Sequence, residues 1–117
     1  MKFYETEQPP DWEFVGVDGI FIKMMPLPNP GMVVPQHAHT YDHYTMLASG
    51  GLAVWADGVK MGEFDAPKPI FIKAGVKHLL ISTKPNTVAY CIHNLHGEDA
   101  VSIEEEHHLE VDPCGVQ

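Results

Sequence analysis

Turn-forming residues interrupt this chain so often that its secondary structure must come in short pieces. Ten glycines and ten prolines are spread along the 117 residues, with short apolar runs between them. The clearest predicted unit is a β-hairpin over residues 52–61, in which Asp57-Gly58 forms the turn between the runs 52–56 and 59–61. Asp-Gly between β-rich runs is the usual two-residue hairpin turn. This pattern predicts an all-β domain of about eight or nine short strands, folded as a barrel or a sandwich.

Composition narrows the class of protein. A chain of 117 residues with 44% hydrophobic and 20% charged residues suits one globular domain with one core. The net charge of −9 argues against a nucleic-acid partner and against an anionic membrane surface. No apolar run approaches the roughly 18 residues of a membrane span, and the first residues lack the apolar stretch of a secretory signal. Cys91 and Cys114 form no disulfide framework, so we expect a cytoplasmic protein.

The positions of the turn-forming residues also suggest how the chain is organised. Residues 1–13 are expected to form an extended lead-in, residues 14–97 the barrel, and residues 98–117 an acidic tail or short helix. The last two strands of the barrel are predicted to pair as a hairpin around the turn 84–86. Besides residues 52–61, the predicted strands cover residues 19–27, 32–39, 43–49, 70–72, 78–83 and 87–93.

Three histidines fall within seven residues of the segment GMVVPQHAHTYDHYTMLASG, which covers residues 31–50. His37 and His39 project to the same face of a strand because side chains alternate along it. His43 opens the next predicted strand, and His78 opens a later one. Any one of these alone is best interpreted as a hydrogen-bonded core residue. Together they predict a metal site, because buried rings need partners and one cation satisfies several of them.

The same residues carry a resemblance to the cupin family. Its first motif, G-x5-H-x-H-x3,4-E-x6-G, is matched in type and spacing at four positions, namely Gly31, His37, His39 and Gly50. His43 stands where the family usually has glutamate. The second motif, G-x5-P-x-G-x2-H-x3-N, is matched only in part: Gly75 and His78 fit, while three positions differ, namely Pro67, Lys73 and Ser82.

The resemblance implies a single-domain cupin of the four-histidine type, which is a double-stranded β-barrel of jelly-roll form. It also implies one divalent metal ion per chain, held by His37, His39, His43 and His78, and a homodimer. Four neutral imidazoles leave the ion its full charge and leave two positions of an octahedral shell open to a substrate or to dioxygen. Iron, manganese, nickel, copper and zinc all suit such ligands.

The leading functional hypothesis is therefore a metal-dependent enzyme. The most specific form of this hypothesis is a dioxygenase-like oxidoreductase that uses iron or manganese. Its substrate is expected to be a small chelating organic molecule, because the inferred interior is mostly apolar. This interior is expected to contain the apolar residues Val33, Leu47 and Leu80 and the polar residues Thr45 and Ser82. The alternatives are a metal-assisted isomerase, epimerase or lyase, and a non-catalytic sensor module that binds a small ligand or a metal.

A catalytic acid or base depends on the register of the predicted last hairpin. A loop of two or four residues directs His93 and Cys91 into the cavity, whereas a loop of three residues directs Tyr90 there. The first register is favoured, because the second requires Thr87 to adopt a left-handed conformation. Asp42, next to His43, is a common turn former that could also orient an imidazole.

Overall fold

A computed structural model describes residues 12–37 and 42–95 of the chain. All secondary structure among these residues is β, as predicted, and none of them forms a helix long and apolar enough to cross a membrane. The nine strands are β1 (Glu13–Val17), β2 (Ile20–Leu27), β3 (Val33–His37), β4 (His43–Ser49), β5 (Gly51–Ala56), β6 (Val59–Asp65), β7 (Lys68–Ile72), β8 (His78–Ser82) and β9 (Thr87–Asn94).

The strands form two antiparallel sheets that enclose one core. The five-stranded sheet has the order β1-β2-β9-β4-β7, and the four-stranded sheet has the order β3-β8-β5-β6. Burial alternates strictly along β2 and β9, so each strand gives one face to the interior. The largest apolar cluster draws on both sheets, including Leu27 and Leu47 from the first and Leu52 and Leu80 from the second. The predicted double-stranded β-barrel is confirmed.

The predicted hairpin at Asp57-Gly58 is confirmed by the backbone. Asp57 has φ 47° and Gly58 has φ 82°, and the flanking strands β5 and β6 pair with each other. Asp57 also fixes the start of β8: its backbone N–H donates to the carbonyl of Lys77 (2.7 Å), and its Oδ1 accepts from the N–H of Lys77 (2.9 Å). The end of the hairpin therefore holds the residue that precedes His78.

The prediction that β8 and β9 pair as a hairpin is wrong. β8 pairs with β3 and β5, whereas β9 lies between β2 and β4 in the other sheet. The turn at residues 84–86 is present, with Asn86 at φ 57°, but it carries the chain from one sheet to the other. Alternating apolar residues show that a strand has one buried face, and they do not show which strands lie beside it.

A bulge in β3 changes which residue faces the core. Val34 is paired with Leu80 and His37 with His78, so β3 has one more residue than β8 over this stretch. Val34 is consequently the buried residue (5% exposed), and the predicted assignment of Val33 to the interior is wrong.

The assignment of Ser82 as a polar group for a cavity ligand also needs correction. Its hydroxyl donates to the carbonyl of Asn29 (2.6 Å) and accepts from the N–H of Met32 (2.9 Å). Ser82 is 2% exposed, so these bonds are made away from water. Its role in the structure is to anchor the loop that enters β3.

Gly50 joins the two sheets where the chain leaves β4 and enters β5. It has φ 77°, and a Cβ built on it would collide with the hydroxyl and the Cα of Thr87. The Thr87 hydroxyl in turn accepts from the N–H of Gly51 (3.1 Å) and donates to the carbonyl of Lys84 (2.8 Å). This glycine of the first motif is therefore required both by its backbone conformation and by lack of space.

Candidate functional site

Three imidazoles come together inside the barrel. His43 opens β4, His78 opens β8 and His93 lies near the end of β9, and they are only 3%, 3% and 5% exposed. The ring centroids of His43 and His78 are 5.2 Å apart, and those of His43 and His93 are 5.8 Å apart. Since β4 and β9 belong to one sheet and β8 to the other, this histidine cluster bridges the two sheets.

Two aspartates fix the ends of the strands that carry the cluster. Asp42 Oδ1 accepts a hydrogen bond from the N–H of Ala74 (2.7 Å), which ties the residue before His43 to the loop before β8. Asp57 holds Lys77, the residue before His78, through the two bonds described above. The Asp42 carboxylate thus has a backbone partner in the loop, and both histidines follow directly on residues held by hydrogen bonds.

Burial keeps His78 neutral. It lowers the pKa of this imidazole from 6.5 to about 4 because the charged form would lose its hydration, and a hydrogen bond with the backbone of Val76 opposes this effect in part. Neutral imidazole is the form that can give a lone pair to a metal ion or accept a proton. At neutral pH His78 is therefore in the form that can bind a metal ion, whereas its lowered pKa makes it a poor proton acceptor.

His93 faces the interior, as the favoured register predicted, although the reason is different. β9 is held between β2 and β4, and its alternation with Cys91 and Ala89 places all three on the buried face. The ring stacks on Phe21 at 4.7 Å between centroids, and its Nδ1 lies 3.1 Å from the carbonyl oxygen of Asn94. A carbonyl only accepts, so a hydrogen bond here puts the proton on Nδ1 and makes Nε2 the basic nitrogen.

Tyr90 lies on the opposite face of β9, where it is half-buried and pairs with Met24 and Met46. The structure does not bring it together with the histidine cluster. The catalytic roles suggested for His93 and Tyr90 both stay predictions, but only His93 shares the interior with His43 and His78.

The other two predicted ligands lie at the end of β3. His37 is the last residue of that strand, and its backbone is paired with that of His78. His39 lies outside the described residues. No group of three His, Cys, Asp or Glu side chains that could hold a metal ion is found among the residues the structure describes. The four-histidine centre therefore stays a prediction that depends on His37 and His39.

The spacing of His43 and His78 is compatible with a shared ion. A ring nitrogen about 2.1 Å from a metal places the ring centroid about 3.2 Å from it, so two rings on one ion have centroids about 4.5–5.5 Å apart. The observed 5.2 Å falls in that range. The two rings are also buried, which would exclude water from competing for the same ion.

No role was predicted for Lys23, whose side chain is also buried. It is 4% exposed on the buried face of β2, where it is paired with Cys91, and its Nζ lies 5.6 Å from the centre of the Trp12 ring. The available signal was a lysine at an inward position between Phe21 and Met25 on an alternating strand.

Comparison with known proteins gives structural matches only. No family model matches the chain, and no curated protein matches its sequence. Among solved structures, a cupin 2 domain-containing protein from Halorhodospira halophila has a TM-score of 0.63 at 17% identity, covering 94% of this chain and 82% of that one.

Two further structures agree with this match. KdgF from Halomonas sp. has a TM-score of 0.62 at 13% identity, covering 77% of this chain and 86% of that one. An RmlC-like cupin family protein with a double-stranded β-helix fold from Methanocaldococcus jannaschii has a TM-score of 0.61 at 14% identity, covering 84% and 93%. At these identities the likeness establishes a shared architecture, and it covers most of each chain.

Proposed function

We propose that this chain, which has the cupin fold, binds one divalent metal ion through His37, His39, His43 and His78 and acts on a small chelating organic substrate. The observation that carries the proposal is the pair His43–His78, whose buried rings approach to 5.2 Å from two different sheets. A further support is the register of β3, which pairs the backbone of His37 with that of His78.

The interior suits a small anionic ligand. The buried neighbours of the cluster are mostly apolar, with Ile72 paired with His43 and Leu80 next but one after His78. Thr45, next but one after His43, adds a buried hydroxyl, so few polar groups are offered to a highly hydroxylated molecule. Four neutral imidazoles would leave the bound ion its full charge, which favours negative charge on the ligand. A carboxylate or an enolate with a second chelating oxygen meets these requirements.

The favoured reaction class is oxygenase-like, with iron or manganese as the metal. When bound, such an ion supplies Lewis acidity and a redox couple for dioxygen chemistry. The chain itself would orient the substrate through its apolar walls and keep bulk water from the site. His93, held by Phe21 and by the Asn94 carbonyl, would be the group that takes up or returns a proton.

That same His93 is the observation in favour of a second candidate function, a metal-assisted isomerase, epimerase or lyase. Such reactions need an inward-facing base near the polarised carbonyl, and Nε2 of His93 is the nitrogen that would serve as this base. A non-catalytic module that senses a small ligand or a metal is the third candidate. In each case we expect the protein in the cytoplasm, as the sequence predicted.

Metal analysis of the untagged protein tests the proposal. Mass spectrometry after expression with mixed metals is expected to find about one divalent ion per chain, and His43→Ala and His78→Ala are expected to lose it. His107→Ala is the matched control, since this histidine belongs to the acidic tail predicted from the sequence, and it should retain the ion. A wild type without tightly bound metal would overturn the proposal.

His93→Gln separates the catalytic candidates, because it should keep the metal. Oxygen consumption is measured with a panel of 1,3-diketones, 2-oxo acids and catechols as chelating probes. Uptake that requires iron or manganese supports the oxygenase. Turnover without oxygen that disappears in His93→Gln supports the isomerase, epimerase or lyase, and ligand binding without turnover supports the sensor.

A further inference from the structure

A loop of five residues joins the two parts of the fold that carry His43 and His78. Residues 73–77, with the sequence KAGVK, connect β7 of the five-stranded sheet to β8 of the four-stranded sheet. Ile72, the last residue of β7, is paired with His43, and His78 is the first residue of β8. This connecting loop therefore begins beside one of the two histidines and ends directly before the other.

The first end of the connecting loop is tied to the start of β4. Oδ1 of Asp42 accepts a hydrogen bond from the N–H of Ala74 at 2.7 Å, although the two residues are 32 positions apart in the chain. Asp42 immediately precedes His43. The bond therefore joins the backbone that carries His43 to the loop that leads to His78.

The second end is tied to the tip of the β5–β6 hairpin. The N–H of Asp57 donates to the carbonyl of Lys77 at 2.7 Å, and Oδ1 of Asp57 accepts from the N–H of Lys77 at 2.9 Å. One residue of the hairpin thus engages both backbone polar groups of Lys77. Asp57 has φ 47° in the tight turn, a conformation that aspartate tolerates better than most residues.

The connecting loop is also constrained between its two ties. The N–H of Val76 donates to the carbonyl of Lys73 at 3.3 Å, and Gly75 turns the chain with φ 78°. The ring of His78 makes a hydrogen bond with the backbone of Val76, which belongs to the same loop. The loop therefore holds the backbone of His78 through Lys77 and its ring through Val76.

The distance between the two rings needs such a constraint. β4 pairs with β7 and β9, whereas β8 pairs with β3 and β5, so pairing between β4 and β8 does not set the spacing of His43 and His78. Metal–nitrogen bonds tolerate deviations of only about 0.2 Å. Two ligands on different sheets can therefore share an ion only if something else fixes their separation.

We propose that Asp42 and Asp57 are positioning residues, which hold the connecting loop so that the rings of His43 and His78 keep their metal-binding spacing before an ion arrives. Neither carboxylate is assigned to the ion itself, because Oδ1 of each is engaged with a backbone N–H of the loop. The metal-binding part of this inference rests on the proposed function, whereas the spacing of the rings can be measured without metal.

Substitution of both aspartates tests the proposal with two measurements on the full chain. In the metal-free protein, the nuclear Overhauser effect between ring protons of His43 and His78 reports their spacing, and calorimetric titration with Zn²⁺ alone reports the Kd. Asp42→Ala and Asp57→Ala should weaken the Overhauser effect and raise the Kd about 10- to 100-fold. Asp42→Asn and Asp57→Asn should behave like wild type, because the amide oxygen of asparagine accepts the same hydrogen bond.

Asp65→Ala is the matched control for charge. It also removes one carboxylate, yet Asp65 lies in β6 and pairs with Lys84 at 2.7 Å, so both measurements should stay at wild-type values. Insertion of one glycine after Gly75 keeps both aspartates and lengthens the connecting loop. It should weaken the Overhauser effect and zinc binding, and it tests the proposal even where an alanine variant fails to fold. Circular dichroism checks the fold of each variant.

The proposal is overturned if the folded alanine and insertion variants keep the Overhauser effect and the Kd of wild type. Losses in the asparagine variants or in Asp65→Ala as large as those in the alanine variants would make charge the cause, which also overturns it. A metal-free wild type without the Overhauser effect would count against it as well. A wild type that binds no Zn²⁺, but whose Overhauser effect disappears in the alanine variants, would contradict the proposed metal site and support the role of the aspartates in setting the spacing.

Discussion

The imidazole of His78 lies where water hardly reaches it, and its environment explains its chemistry. It is 3% exposed, and burial lowers its pKa from 6.5 to about 4. A histidine on the surface would be partly protonated near pH 6, whereas this one stays neutral well below that value. A group that must offer a lone pair benefits from such a setting, since no proton has to leave before binding.

The metal-free protein should therefore lose stability in acid. Between pH 6.5 and pH 4 the unfolded chain protonates His78 and the folded chain does not, so the free energy of unfolding falls as the pH falls through this window. Above pH 6.5 the full stability is present. The loss attributable to His78 reaches about 3 kcal/mol at 1.36 kcal/mol per pH unit. Urea unfolding with a chelator at pH 7, 5.5 and 4.5 measures it.

His78→Asn is the control for this pH dependence, because it removes the titrating group. The variant should show a shallower decline of stability from pH 7 to pH 4.5 than the wild type. An identical decline in both proteins would mean that other groups dominate and that His78 is not kept neutral by the fold.

Single residues show what the sequence could and could not give at the site. His43 and His78 were assigned to one interior from their positions on strands, and the structure brings them within 5.2 Å. Lys23 was missed because a lysine usually faces water, and only the pairing of β2 with β9 shows that its position is buried. The spacing of histidines along the chain identifies candidate metal ligands. Which other side chains surround those ligands depends on how the strands pair, and the sequence does not show that pairing.

At the scale of strands, the turn between β4 and β5 depends on a residue without a side chain. Gly50→Ala would have to adopt φ 77° and would also collide with Thr87, whereas Gly31→Ala has a similar φ of 84° and meets no atom within 4 Å. We expect a loss of about 1 kcal/mol for Gly31→Ala, from backbone strain alone. Gly50→Ala should lose about 3 kcal/mol or more, because steric overlap adds to the strain.

Urea unfolding of both variants at pH 7 measures the difference. Equal losses would mean that Thr87 moves aside without cost and that the space around Gly50 is not restrictive. The comparison is internally controlled, since both substitutions add one methyl group at a left-handed position.

The same scale shows why strand pairing was harder to predict than strand positions. Turn residues and alternation gave most strands, and Asp57-Gly58 gave a correct hairpin because both its partners are local. They also suggested that β8 pairs with β9, although these two strands belong to different sheets. In a barrel made of two sheets, a short turn can join neighbours within a sheet or across the core, and both look alike in sequence. The bulge in β3 could not be predicted either, because no pattern in the sequence marks where one strand has an extra residue.

At the scale of the whole molecule, the histidine cluster lies between the two sheets. An ion bound by His43 of the five-stranded sheet and His78 of the four-stranded sheet would tie the layers together. Metal at about 100 times its Kd should then slow amide exchange about 100-fold at the most protected strands of both sheets. Hydrogen exchange followed by mass spectrometry, with and without metal, measures this effect.

His43→Ala provides the comparison, because metal should no longer change its exchange. Slowing that is confined to one sheet, or that persists in His43→Ala, would show that the ion binds elsewhere on the chain. Slowing of both sheets in the wild type alone would support a bridging ion.

The outer face of the five-stranded sheet has a consequence for how the protein behaves at high concentration. Val15, Tyr44 and Phe71, from three strands of this sheet, are each about half exposed, and exposed apolar side chains are where aggregation starts. The net charge of −9 opposes this, because molecules that carry charge of the same sign repel one another. That repulsion weakens as the pH falls toward the isoelectric point near 5.1, so acid should favour aggregation of the folded protein.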